Sequence, residues 1–332
     1  MTQPIVRVRE LKKYFPLGGG FLRGRKGTVR AVDGVSFAIA MGETFGLVGE
    51  SGCGKTTVGR TLIRAHRPTG GEMLFSPSES ETYDLARLPD RELYPLRTEM
   101  QMIFQDPYSS LSPRMTVKQI VAEPLVIHRR AGGDSLELRV RQTLAEVGLD
   151  PGHLNRYPHA FSGGQRQRIG LARALIISPK FIVADEPVSA LDVSVQAQIL
   201  ELFVRLKEGF GLSYLFVSHD LSVVRYISDR VAVMYVGKLV ELASSKALFD
   251  EPRHPYTRAL ISVVPIPDPH RRDEPELLEG EVADAANPPS GCLFHPRCKF
   301  VEELCRNEEP TLRNMGDSGS PHLVACHRAE EI

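Results

Sequence analysis

The run Gly49-Glu50-Ser51-Gly52-Cys53-Gly54-Lys55-Thr56-Thr57 constrains this chain more than any other stretch. It fits the phosphate-loop pattern G-x-x-x-x-G-K-[ST] in a setting that gives the pattern meaning. The apolar residues Thr44-Phe45-Gly46-Leu47-Val48 before it read as a buried strand. From Lys55 to about His66, apolar positions at Val58, Leu62 and Ile63 and a stop before Pro68 read as a helix. A strand, a glycine loop and a helix start form an anion cradle. Backbone N–H groups close on phosphate oxygens, and the helix N-terminus adds about half a positive charge. Gly49, Ser51, Gly52, Cys53, Gly54 and Thr57 line that cradle, Lys55 reaches the β- and γ-phosphates, and the Thr56 hydroxyl meets Mg²⁺. The ligand this predicts is a nucleoside triphosphate.

The remaining composition excludes several classes. The 332 residues carry 41 basic and 41 acidic side chains, a balance that calls for neither nucleic acid nor an anionic membrane. No apolar run approaches the ~20 residues of a spanning helix, and Met1-Thr2-Gln3-Pro4 begins no signal peptide. A soluble, cytoplasmic chain is expected, working at a membrane only through partners. Of five cysteines, Cys53 lies in the phosphate loop, whereas Cys292, Cys298, Cys305 and Cys326 crowd the last 41 residues. In a reduced compartment such a cluster suggests a metal site before disulfides.

Further strands are expected at Ile5–Arg9, Val35–Ile39, Met100–Phe104, Phe181–Ala184, Tyr214–Val217 and Val231–Met234, with helices over 136–147, 163–177 and 194–208. Alternating strands and helices indicate an α/β fold around a largely parallel sheet. From about residue 106 strand signals lapse, marking a helical insertion. Gly18 to Gly27 is a basic loop, either solvated or docking a partner, and Pro265 to Pro289 reads as a linker.

Phe161-Ser162-Gly163-Gly164-Gln165 adds a second glycine-rich helix start, with Ser162 and Gln165 spaced as a capping box. The strand Phe181-Ile182-Val183-Ala184 runs into Asp185 and Glu186. Asp185 is placed to hold the Mg²⁺ water shell opposite Thr56, and Glu186 to polarise an attacking water.

With these residues the chain resembles the ATP-binding subunit of an ABC transporter. The resemblance implies a P-loop NTPase fold of the ABC type. It gives a nucleotide-binding domain over residues 1–260 with a helical subdomain at about 106–178, then a small cysteine-containing appendage over 261–332. Ser162, Gly163, Gly164 and Gln165 match the signature, whose usual leading leucine is here Phe161. They are implied to complete the ATP site of a partner. Gln105 matches the residue that reads Mg²⁺ and the attacking water, Asp192 the loop that crosses to the opposite subunit, and His219 the switch histidine at the γ-phosphate. Phe15 matches the aromatic that stacks on adenine, with Tyr14 as the alternative.

Glu251-Pro252-Arg253-His254-Pro255-Tyr256 and Gly291-Cys292-Leu293-Phe294-His295-Pro296-Arg297-Cys298 resemble the oligopeptide/dipeptide importer subfamily, and Pro113-Arg114-Met115-Thr116-Val117 with Ala122-Glu123-Pro124-Leu125 resemble its second ATPase type. This implies peptide import driven by ATP hydrolysis at the cytoplasmic face of the inner membrane. The implied partners are a paralogous ATPase, two permease subunits and, indirectly, an extracytoplasmic binding protein, with no nucleic acid. Nickel, glutathione or another small solute stay open as cargo, as does a soluble ABC ATPase acting on nucleic acid. The cysteine spacing C-x5-C-x6-C-x20-C fits neither zinc ribbons nor common ferredoxins. The subfamily implies a [4Fe–4S] cluster on Cys292, Cys298, Cys305 and Cys326; zinc with His295, His322 or His327, and plain buried thiols, are the alternatives.

Overall fold

The computed structural model describes residues 3–17, 27–106, 110–129, 134–264, 278–317 and 319–332. The basic loop 18–26 and linker residues 265–277 lie outside the described residues. β1 (Pro4–Pro16) and β2 (Thr28–Ala40) pair antiparallel, with a register shift between Val8 and Leu11 where Glu10 sits at φ 48°. β3 (Thr44–Val48) is buried throughout and feeds the phosphate loop and α1 (Lys55–Leu62). The helix stops short of His66 because Arg64 turns into the left-handed region at φ 58°. β4 (Gly70–Ser78) and β5 (Glu81–Asp84) complete a four-stranded sheet of order β2-β1-β4-β5.

α2 (Asp90–Leu96) leads to β6 (Met100–Ile103). Between β6 and Phe181 the regular elements are helical: α3 (Val117–Ile127), α4 (Asp134–Glu146) and α5 (Gly163–Leu175), besides two short 3₁₀ turns. The chain then alternates through β7 (Phe181–Asp185), α6 (Val193–Phe210), β8 (Ser213–Val217), α7 (Leu221–Ile227) and β9 (Arg230–Tyr235). Strands β6, β7, β8, β3 and β9 lie side by side and parallel, with Ile103 opposite Ala184, Asp185 opposite Val217, Leu47 opposite Val217 and Val48 opposite Val233. Every C-terminal strand end therefore emerges on one edge of the sheet.

Both faces of that parallel sheet are covered, which is why its strands read as apolar runs. Phe45, Leu47, Val183, Leu215 and Val217 share one core with Val6 and Val8 of β1 and with Val58 and Leu62 of α1. Ile182, Ala184, Tyr214 and Phe216 join the other, where Phe203 of α6 meets Tyr214 and Phe216 edge-on. Each fully buried Val, Leu, Ile or Phe among them contributes about 1.5–3 kcal/mol by leaving water.

The chain reverses at Val236-Gly237, both at positive φ (40° and 82°), and β10 (Lys238–Ser244) returns antiparallel beside β9. α8 (Ser245–Asp250) and α9 (Pro255–Ser262) follow. The last segment adds α10 (Glu303–Asn307), β11 (Arg313–Asn314) and β12 (Leu323–Val324). β12 pairs with β10 and β11 with β12, so the tail extends the main sheet to eight strands. Phe294 is buried against Tyr235 and Tyr256, with ring centroids 5.4 Å from each. Glu241 of β10, wholly buried, accepts from the backbone N–H groups of Arg253 (2.8 Å) and His254 (2.9 Å) and bonds the His322 ring (2.6 Å).

The expected metal centre is overturned. Among the described residues no group of three or more His, Cys, Asp or Glu side chains is arranged to hold a metal ion. Cys292, Cys298, Cys305 and Cys326 line one cavity of about 20 Å³, but all are free thiols. Burial pushes the Cys292 thiol up to about 12 and the Cys326 thiol to about 11, and raises Cys298. The candidate histidines are engaged elsewhere: His322 with Glu241, His295 with the Cys292 carbonyl and His327 with the Glu308 carbonyl. Neither a [4Fe–4S] cluster nor zinc is supported, and the buried thiols pack as small apolar groups.

Candidate nucleotide site

A cavity of about 470 Å³ opens at the strand ends, lined by Ser51 to Thr57 of the phosphate loop and by Gln105, Glu186 and His219. Gly49 sits at φ 151°, where a side chain would come within 2.2 Å of the Met234 carbonyl oxygen. Gly54, at φ 108°, would place one 2.0 Å from the Ala31 carbonyl oxygen. Only glycine lets the loop pass so close to its neighbours. Gly54 is also the residue before α1, and it turns the first free N–H groups of that helix toward the cavity.

Lys55 is buried inside the loop and donates to the carbonyls of Gly49 (2.8 Å) and Glu50 (2.9 Å). An arriving phosphate competes with those two bonds for the ammonium. The Thr56 hydroxyl donates to Asp185 Oδ1 at 2.8 Å, across from the end of β7. Burial raises the Asp185 carboxyl above its ordinary range, and the Thr56 bond works against that rise. A hydroxyl and a desolvated carboxylate on facing elements suit a hard divalent cation, which would relieve the buried charge.

Glu186 follows at φ 46°, a conformation costly for a residue with a side chain, with its N–H held by the Val217 carbonyl at 2.9 Å. Its Oε2 accepts from Gln105 Nε2 at 2.9 Å and lies 3.0 Å from His219 Nδ1. Gln105 comes from the end of β6, His219 from the end of β8 and Glu186 from the end of β7. The parallel register alone brings these three together.

Other expected residues stand apart from this cavity. Ser162 and Gln165 form the full capping box at the start of α5, both exposed. Gly164 faces α6, where an added Cβ would meet Val195 Cγ1 at 2.4 Å. Asp192 caps α6 by accepting from the Val195 N–H at 3.0 Å. Phe15 pairs with Val29, which does line the cavity, but its own ring packs edge-on against His66. Tyr14 is tied to Asp33 by its hydroxyl. Sequence reading missed Val29, Ala31, Gly237 and Ala285 as lining residues. It also missed two contacts on Glu50, from Tyr256 and Arg297. The four lining residues carry no local motif, and the motifs that hold Tyr256 and Arg297 give no sign of a tie to Glu50.

A phosphate loop after a central parallel strand, with acids at the end of a neighbouring strand, defines a P-loop nucleotide hydrolase. The ABC transporter family matches residues 32–189, and the oligopeptide/dipeptide transporter C-terminal region matches residues 240–305. The oligopeptide transport ATP-binding protein AppF of Bacillus subtilis (strain 168) is 49% identical over 328 residues, covering 98% of this chain and 97% of that one. A dimeric post-hydrolysis structure of the ATP-binding cassette MJ0796 bound to ADP and Pi superposes with TM-score 0.63 at 28% identity, over 72% of this chain and 98% of that one. CbiO1 of Clostridium perfringens, part of the transporter complex cbiONQ, gives 0.62 at 26% identity, over 75% and 91%. The chain belongs to the ABC transporter ATP-binding proteins, in the group that carries the oligopeptide/dipeptide C-terminal region. It is an ABC ATPase, and its ligands are ATP and Mg²⁺.

Proposed function

We propose that this chain hydrolyses ATP to power import of di- or oligopeptides through an ABC transporter. The observation that carries the reading is the convergence of Lys55, Thr56, Glu186, Gln105 and His219 on one cavity at the sheet edge, with Asp185 bonded behind Thr56. In this reading Lys55 and the loop N–H groups bind the β- and γ-phosphates, and Phe15 stacks on the base. Thr56 and Gln105 hold Mg²⁺, with Asp185 behind them; the ion would neutralise charge on the phosphate oxygens. Glu186 takes a proton from the attacking water, while Gln105 and His219 hold the carboxylate in place.

The reading assigns residues 1–260 to the nucleotide cassette and 261–332 to the subfamily extension. Ser162, Gly163, Gly164, Gln165 and Asp192 serve a site shared with a paralogous ATPase; their positions at two exposed helix starts outside this cavity support that role. Among the described residues no helix is long and apolar enough to cross a membrane. In this reading two permease subunits supply the passage and this chain docks at their cytoplasmic face. Peptide as cargo is supported by the relative named for oligopeptide transport and by the matching C-terminal region.

The test is reconstitution of the chain with its permeases, partner ATPase and binding protein in liposomes. Uptake of labelled oligopeptides that requires Mg-ATP is the expected result. Uptake of nickel or glutathione without peptide uptake would replace the cargo.

A further inference from the structure

Glu50, the second residue of the phosphate loop, is held from three sides. Its carbonyl accepts from Lys55 Nζ, and its N–H donates to the Tyr256 hydroxyl at 2.9 Å. Its carboxylate is gripped by both arms of Arg297, with Nη1 2.8 Å from Oε2 and Nη2 3.1 Å from Oε1. Two parallel bonds of this kind fix direction as well as distance. The pair is largely withdrawn from water, the Arg297 side chain being 6% exposed and that of Glu50 26%.

Arg297 is itself fixed. It ends a single 3₁₀ turn, His295–Arg297, whose N–H groups return to the Cys292 and Phe294 carbonyls. Cys292 is in turn tied by its N–H to the Cys305 carbonyl at 2.8 Å. Phe294, three positions earlier, is seated between Tyr235 and Tyr256. The C-terminal segment thus presents a rigid cation to one residue of the phosphate loop. Glu50 without that cation would be an unpaired carboxylate beside the place where a polyphosphate binds. Like charges there weaken binding directly, and a freed Glu50 also loosens the carbonyl that orients Lys55.

We propose that Arg297 is a positioning residue for the nucleotide site: it holds and neutralises Glu50, so that the C-terminal segment sets the affinity of the phosphate loop for ATP. The proposal rests on the nucleotide cavity described above. A wild-type chain that binds no nucleotide would end that reading, whereas the comparisons below bear on Arg297 alone.

The experiment titrates the full-length chain with a fluorescent ATP analogue and follows its steady-state hydrolysis. Arg297→Ala should raise Kd and KM for the nucleotide about tenfold or more while kcat at saturation stays within about twofold. Arg297→Gln, which keeps most of the side chain's packing, should show the same split. Adding Glu50→Gln to either variant removes the stranded charge and should recover most of the lost affinity. Arg297 variants that bind as tightly as wild type would overturn the proposal. So would a loss of affinity that Glu50→Gln leaves untouched, since that would mean Arg297 serves only the packing of the C-terminal segment.

Discussion

The two ends of this molecule's main sheet were written by different kinds of sequence information. At the nucleotide edge, each functional residue follows its own strand by one or two positions: Gly49 after β3, Gln105 after β6, Glu186 after β7, His219 after β8. Short motifs suffice there, because parallel register aligns the strand ends without long-range detail. The C-terminal segment is built the opposite way. Its ties are single residues far apart in sequence, with Arg297 reaching Glu50 across 247 positions and His322 reaching Glu241 across 81. A local motif can be read as it stands, whereas a distant tie becomes visible only when the fold brings its partners together.

If the division is right, substitutions at the nucleotide edge should change chemistry and leave the fold, and those in the C-terminal segment, the Arg297 grip on Glu50 apart, should do the reverse. The largest effect is expected from Glu186→Gln. Hydrolysis should fall by roughly 10²–10⁴-fold, the worth of a positioned general base. ATP binding and thermal stability should stay near wild type; single-turnover hydrolysis beside an ATP titration checks both. Turnover within a few-fold of wild type would remove Glu186 from the chemistry.

Phe294→Ala tests the other region. Emptying a fully buried aromatic site should cost about 3–5 kcal/mol of stability. Because the ring packs on Tyr235 of β9, the whole chain should unfold earlier in urea. A separate early transition involving only the last residues would instead make the C-terminal segment an independent unit.

The third expectation concerns pH. His254 caps α9 by accepting from the Tyr256 N–H through Nδ1, and burial pushes its pKa down to about 4 against the opposing pull of Glu241. Its folded pKa lies below the unfolded value near 6.5, so between the two the unfolded chain takes up a proton that the native chain refuses. This group's full contribution is present above about pH 6.5 and is lost as pH falls toward 4. Between pH 7 and pH 5 the loss is about 2 kcal/mol. His254→Asn keeps a capping oxygen and should abolish that part of the pH dependence, measured as the difference between the two chains' urea midpoints at each pH. Parallel curves for the two proteins would show that His254 takes no part.

The same contrast explains which parts of the structure the sequence disclosed. All seven expected strands are present: the five of the parallel sheet because burial on both faces leaves a continuous signal, and β1 and β2 because their inward positions, among them Val6, Val8, Val35, Phe37 and Ile39, are apolar. β4 was missed: Gly70, Gly71, Ser76 and Pro77 dilute its pattern, and its strand character comes from pairing with β1. β11 and β12 are two residues each, below any pattern. The cysteines show the limit most plainly. Their crowding in sequence correctly implied that they meet, since all four line one cavity. It carried no information on how the side chains are arranged, and among the described residues they form no group that could hold a metal ion.

Strand β10 carries buried Leu239, Val240 and Leu242 and would otherwise form the outer margin of the large sheet. An uncovered apolar strand with unpaired N–H and C=O groups invites another chain to add itself and continue the ladder. β12 takes that place, and β11 beyond it offers only Arg313 and Asn314, both exposed. The sheet therefore tapers to a two-residue polar hem, too short and too well solvated to recruit a stranger's strand.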